Sequence, residues 1–99
     1  MQIESNKTEE GLYLKLSGRL ETSTAPKLQA VVNREAAKVN ELQMDMENIE
    51  YISSAGLRVL LAAFKKMKAK DGHMIVSNVN DDVMEVFEIT GFNEILDIR

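Results

Sequence analysis

Residues 47–72 read ENIEYISSAGLRVLLAAFKKMKAKDG. A strand-like apolar run gives way to a short polar junction, Ser53-Ser54-Ala55-Gly56. Leu57, Leu60, Leu61, Phe64 and Met67 then recur at i, i+3, i+4 and i+7, the spacing of one buried helix face. The pattern predicts helix 2 over 55–70. Its last turns carry Lys65, Lys66, Lys68 and Lys70, where cations complement the negative end of the helix dipole. Asp71-Gly72 reads as the turn that follows. A strand, a short junction and a helix are the first half of a βαβ unit, and the rest of the chain can be tested against that unit.

Outward from the junction the alternation continues. In 41–49, ELQMDMENI, Leu42, Met44 and Met46 share one face, and Gln43, Asp45 and Glu47 share the other. That is a strand with one buried side. HMIVSNV, 73–79, is a third strand. Asn80-Asp81 then looks like a helix cap, and Val83, Val86, Phe87 and Thr90 form a helical face that Gly91 ends. FNEILDIR suggests a last short strand near 95–98.

Toward the N-terminus, GLYLKLSGRL at 11–20 alternates Leu12, Leu14 and Leu16 against Tyr13, Lys15 and Ser17. Residues 2–6 can pair with it as an edge strand through a turn at 7–11. ETSTA, 21–25, precedes the only proline, Pro26, a helix-start signal because hydroxyls cap free N–H groups and proline fits a first turn. Leu28, Val31, Val32, Ala36 and Val39 extend helix 1 to about 39.

The order is β-β-α-β-α-β-α-β. Strands alternating with helices imply parallel neighbours joined by right-handed crossovers. Two strands keep a polar face, which a sheet covered on both sides would not. The expectation is an α/β fold: a mixed sheet of four to five strands, helices mainly on one face, the other face partly open.

Composition narrows the function. With 99 residues one domain, 1–99, is expected. The net charge of −4 gives no electrostatic help in binding nucleic acid or an anionic membrane, so neither is expected as a partner. There is no cysteine, hence no disulfide framework, thiolate metal site or cysteine nucleophile. No apolar run approaches the roughly 20 residues of a membrane span. MQIESNKTEE lacks the apolar stretch of a signal peptide, so a cytoplasmic location is expected.

The chemistry-bearing residues are few. His73, the only histidine, starts a strand just after a turn and reads as a surface residue. Asp45 and Glu47, two apart on a strand, could meet a divalent cation, but two carboxylates fall short of the oxygen ligands it wants. No phosphate-binding glycine loop or metalloprotease motif is present. No catalytic set is legible, no cofactor or metal is expected, and the reading is a protein that is not an enzyme.

Ser53 and Ser54 remain. Serine at a helix start is a preferred cap, worth about 0.5–2 kcal/mol over alanine. The same location tolerates an added phosphate, because a helix N-terminus carries roughly half a positive charge and free N–H donors. Spacing alone favours the cap.

The residues G-R-L-E-T-S-T-A-P-K-L at 18–28, M-D-M-E-N-I at 44–49, Y-I-S-S-A-G-L-R-V-L-L at 51–61 and T-G-F at 90–92 resemble the STAS domain family, and within it the bacterial anti-sigma factor antagonists. The resemblance implies a protein–protein switch. The unmodified domain binds an anti-sigma factor that is also a serine kinase and so frees a sigma factor; the kinase phosphorylates the antagonist and a serine phosphatase resets it. It also implies the phosphoacceptor, Ser54, with Ser53 as the less favoured alternative. Ser53 stands where the family usually has aspartate, and Arg58 where it often has glycine. Ser54 is then expected to be cap and switch at once, and the partner to dock over Glu21, Thr22, Ser23, Ser53, Gly56 and Arg58. A monomer is expected when free. The second reading is a constitutive STAS adaptor or scaffold in a transporter or signalling complex, without phosphorylation.

Overall fold

The structure, a computed structural model, describes residues 1–99. Five strands form one sheet in the order β1-β2-β3-β4-β5: Gln2–Lys7, Gly11–Leu20, Glu41–Ile52, His73–Ser77 and Asp97–Ile98. β1 runs antiparallel to β2, and every other pair is parallel. The helices α1 (Ala25–Glu35), α2 (Ser54–Ala69) and α3 (Asp81–Thr90) fill the three crossovers. Spatial order follows chain order, so each crossover steps the same way across the sheet. Right-handed connections that all step one way place all their helices on one face. The predicted order and the one-sided layering both hold.

The covered face carries the core. Leu12, Leu14 and Leu20 of β2 pair in register with Leu42, Met44 and Ile52 of β3, and Leu42 and Met44 pair with Met74 and Val76 of β4. These side chains join Leu28, Val32, Leu60, Ala63, Met67 and Phe87 from the helices in a single buried cluster. The other face bears Tyr13, Lys15, Gln43, Asp45 and Ser77. Ile75 is the one buried apolar side chain outside the cluster.

Several boundaries differ from the sequence reading. Helix 1 keeps α-geometry only to Glu35 and ends in a 3-10 turn, Ala36–Lys38, with Val39 extended. Thr24 occupies its N-cap without a side-chain cap bond. Its hydroxyl instead accepts the Glu21 N–H at 2.9 Å and donates to the Arg19 carbonyl at 2.6 Å, closing the loop ahead of the helix. The strand expected at 73–79 is β4 and stops at Ser77, because Asn78 turns into a left-handed conformation at φ 58°. Phe92–Glu94 form a 3-10 turn, so the last strand is only Asp97–Ile98. The Asn80 cap and the Gly91 stop are as expected: the Asn80 side chain accepts the Val83 N–H at 2.8 Å.

The largest difference is β3. It runs to Ile52, three residues beyond the alternating stretch. Lys15 pairs with Asp45, but Ser17 pairs with Asn48, and Arg19 with Tyr51. Two extra residues are therefore accommodated in β3 opposite β2. Each extra residue shifts the period, so the inward positions change from 42, 44, 46 to 49 and 52. Met46, Ile49 and Ile52 are buried, while Glu47, Asn48, Glu50 and Tyr51 are exposed.

Candidate functional site

β2 and β3 are parallel, so their C-terminal ends and the loops that follow open at one edge of the sheet. The edge is fastened by a backbone bond: the Ser53 N–H donates to the Leu20 carbonyl at 2.9 Å. This brings the 20–25 loop beside the start of α2. Glu21, Thr22, Ser23, Ser53, Gly56 and Arg58, far apart in sequence, thus belong to two adjacent segments.

Gly56 lets them approach. A Cβ there would lie 2.8 Å from both the Leu20 side chain and the Leu20 carbonyl oxygen, and 2.9 Å from Ile52. Any larger residue would lift the first turn of α2 away from the sheet.

The two serines hold different positions. Ser53 is the N-cap, extended at φ −103° and ψ 176°, and its side chain accepts the Gly56 N–H at 3.5 Å. The first helical bond, Leu57 N–H to the Ser53 carbonyl at 2.9 Å, also starts there. Ser54 is the first residue of the helix and is exposed. The expectation that Ser54 would be cap and switch together is corrected here: the chain enters α2 one residue earlier, so the capping oxygen belongs to Ser53.

Sequence reading missed two residues of this edge. Arg19 donates from Nε to Glu21 Oε2 at 2.5 Å, and its guanidinium lies 4.4 Å from the Tyr51 ring centre. The Glu21 carboxylate raises the Arg19 pKa above its ordinary value. The signal was faint because Arg19 and Tyr51 face each other only through the shifted register. Tyr51, at 43% exposure, is one of three large apolar side chains left on the surface.

The shifted register also separates Asp45 from Glu47. Asp45 is buried to 4% exposure on the open face, while Glu47 points to solvent. The Asp45 carboxylate accepts bonds from the Tyr13 hydroxyl, the Glu47 N–H at 3.0 Å and the Asn78 side chain at 3.1 Å. Burial alone would raise its pKa; the three hydrogen bonds outweigh burial and hold it below the ordinary carboxylate value. Its bonds tie the first extra residue of β3 to the loop before α3. That loop also holds Asn80, whose amide donates to the Ile49 carbonyl at 2.8 Å. Asp45 thus braces the edge from behind.

His73 lies at the opposite end of the sheet, exposed, 2.7 Å from Asp97. The Arg99 guanidinium first, with His73, holds the Asp97 carboxyl below its ordinary value. No group of three or more His, Asp or Glu side chains is placed to hold a metal ion. No helix is long and apolar enough to cross a membrane.

What this geometry offers is a protein surface with an exposed hydroxyl, bordered by a loop fixed through its backbone. The STAS domain family profile matches residues 2–99. The anti-sigma-B factor antagonist of Listeria monocytogenes is 30% identical over 87 residues, covering 85% of this chain and 75% of that protein. Among solved structures, the Bacillus cell fate determinant SpoIIAA in its phosphorylated form superposes with a TM-score of 0.79 at 18% identity, covering 99% of this chain and 91% of that one. The STAS domain of a SulP transporter from Vibrio cholerae superposes with a TM-score of 0.66 at 13% identity, over 87% of this chain and 69% of that one. The match over nearly every residue, joined to the fold and to the Ser53-Ser54 edge, leads to one conclusion: the chain belongs to the STAS domain family.

Proposed function

We propose that this chain is an anti-sigma factor antagonist, switched by phosphorylation of Ser54. The observation that carries the reading is the division of labour between the serines. Ser53 supplies the cap, which leaves the Ser54 hydroxyl exposed and without a structural bond. It stands at the positive end of a 16-residue helix, beside the 20–25 loop. The name of the Listeria relative supports the antagonist role.

In this reading the unmodified edge docks on an anti-sigma factor that is also a serine kinase. The kinase transfers the γ-phosphoryl group of ATP to Ser54 Oγ. The bond to the β-phosphate oxygen breaks and ADP leaves; the Oγ–P bond forms, and the hydroxyl proton passes to a base of the kinase. The phosphate adds about −1.5 to −2 charges. The fold tolerates this, since an anion at a helix N-terminus gains about 0.3–1 kcal/mol. An interface does not, because a buried unpaired charge costs several kcal/mol. A serine phosphatase then hydrolyses the ester and releases inorganic phosphate. The domain itself contributes binding rather than catalysis.

The test uses a candidate anti-sigma factor kinase. Ser54→Asp should melt like the wild type yet lose at least tenfold in affinity, about 1.4 kcal/mol, and Ser54→Ala should keep binding. Equal affinity of all three forms would favour the second reading, a constitutive STAS adaptor, which the likeness to a transporter's STAS domain motivates.

A further inference from the structure

We infer that Arg58 is the internal receiver of the Ser54 phosphate, so that modification withdraws from the docking edge a guanidinium that the unmodified edge presents. The inference rests on Ser54 being the modified residue. It concerns what happens inside the domain after modification, which the reading above leaves open.

The geometry is helical. Ser54 opens α2 and Arg58 lies four residues on, within the same unbroken helix. Residues four apart on a helix share a face and come within reach of each other. Both are exposed. An acidic group N-terminal to a basic one at this spacing is the favourable orientation, because it also agrees with the helix dipole.

Arg58 is also an arginine free to respond. It takes part in none of the six ion pairs of the molecule. Arg19, the other arginine of this edge, is held by Glu21 at 2.5 Å and stacked on Tyr51. Of the other charges at this end, Glu47 and Glu50 are exposed and repel a phosphate, Glu21 is neutralised by Arg19, and Lys27 is held at the Met1 carbonyl at 3.0 Å. The first turn of α2 holds no acidic residue that would compete for Arg58. A dianion on Ser54 therefore meets one uncommitted guanidinium, and that group is fork-shaped for phosphate oxygens.

The consequence is a switch with two parts. Unmodified, Arg58 is free to meet an acidic group of the partner. Modified, Arg58 folds onto the phosphate, and the partner loses that contact while facing a new charge. Arg58 acts here as a positioning residue, through the phosphate.

The experiment requires no kinase. Phosphoserine is installed at position 54 during synthesis of the chain, and its second ionisation is followed by phosphorus NMR, near pH 6. The ionisation should rise by about 0.2–0.4 pH units in Arg58→Ala, the size of a helical ion pair. Arg58→Lys should recover part of the shift. Arg58→Ala combined with Ala62→Arg, which restores the net charge one turn further along, should not. Thermal melting of each unmodified variant confirms folding. An ionisation unchanged in Arg58→Ala, or restored equally by Ala62→Arg, would overturn the inference. A failure of any kinase to modify Ser54 would instead overturn the functional reading and leave this measurement standing.

Discussion

The two ends of the sheet are built by different rules. At the end where the parallel strands begin, β2, β3 and β4 run in strict register from Gly11, Glu41 and His73 to Lys15, Asp45 and Ser77. Lys66 and Lys68 in the last turn of α2 lie there, as do Lys7 and Lys38 around the Glu35 carboxylate. At the other end β3 gains two residues, outlasts β4 and carries Glu47, Glu50 and Tyr51 outward. Regular pairing builds the fold; departures from it build the edge that bears Ser54. Two helices match their dipoles: Lys66 and Lys68 sit in the last turn of α2, and Asp81 and Asp82 in the first turn of α3.

The sharpest way to break this contrast is to strain each end in turn. A Cβ at Gly11 would meet the Glu41 carbonyl oxygen at 2.2 Å, and backbone cannot yield as a side chain can. Gly11→Ala should cost about 3 kcal/mol, the upper range for overpacking. In Gly56→Ala the closest atoms, the Leu20 Cγ and carbonyl oxygen, lie at 2.8 Å, a smaller overlap than at Gly11. The cost should be nearer 1–2 kcal/mol, but partner affinity should fall as well, because the docking segments part. Chemical denaturation and binding by calorimetry separate the two. Equal loss of binding in both variants at matched stability would erase the distinction.

Asp45 sharpens it from behind. A carboxyl lowered in the folded state adds stability above its unfolded value, about 3.9, and that stability is lost as pH falls through the lower folded value. Asp45→Asn should therefore destabilise at pH 7 by about 1–3 kcal/mol, the cost of poorly satisfied buried partners. Its deficit relative to the wild type should narrow below pH 4. A deficit constant from pH 7 to pH 3 would show that the charge on Asp45 plays no part.

These residues also mark the limit of the sequence. Strand and helix order, the one-sided core and the segment holding Ser54 follow from periodicity, because the regular end obeys a period of two and the helices their i, i+3, i+4 spacing. The upper half of β3 was hidden. Its inward residues, Met46, Ile49 and Ile52, are three apart, which fits neither template cleanly. With that register unknown, Arg19 and Tyr51 could not be paired, nor Asp45 separated from Glu47. The cap fell on Ser53 rather than Ser54 for a related reason: adjacent serines are equivalent to a spacing argument, and only the strand's true end at Ile52 decides between them.

Smaller effects separate binding from folding at the edge itself. Arg58→Glu should leave stability within about 0.5 kcal/mol, as surface changes do. It should weaken partner binding a few-fold, through on-rate and salt dependence. An unchanged affinity and salt slope would place the partner on another face. Ser53→Ala should lower stability by about 0.5–1 kcal/mol, the lower part of the capping range, since the bond to the Gly56 N–H is long. Ser54→Ala should change it by less than about 0.5 kcal/mol. The reverse ranking would return the cap to Ser54.

The division of labour between the serines is tested most directly by phosphopeptide mapping. Wild type, Ser53→Ala and Ser54→Ala are each incubated with a candidate anti-sigma factor kinase and ATP, then read by intact mass and by fragment spectra. One phosphate is expected on the wild type and on Ser53→Ala, placed on Ser54 in both, and none on Ser54→Ala. A phosphate on Ser53, or a modified Ser54→Ala chain, would contradict the account.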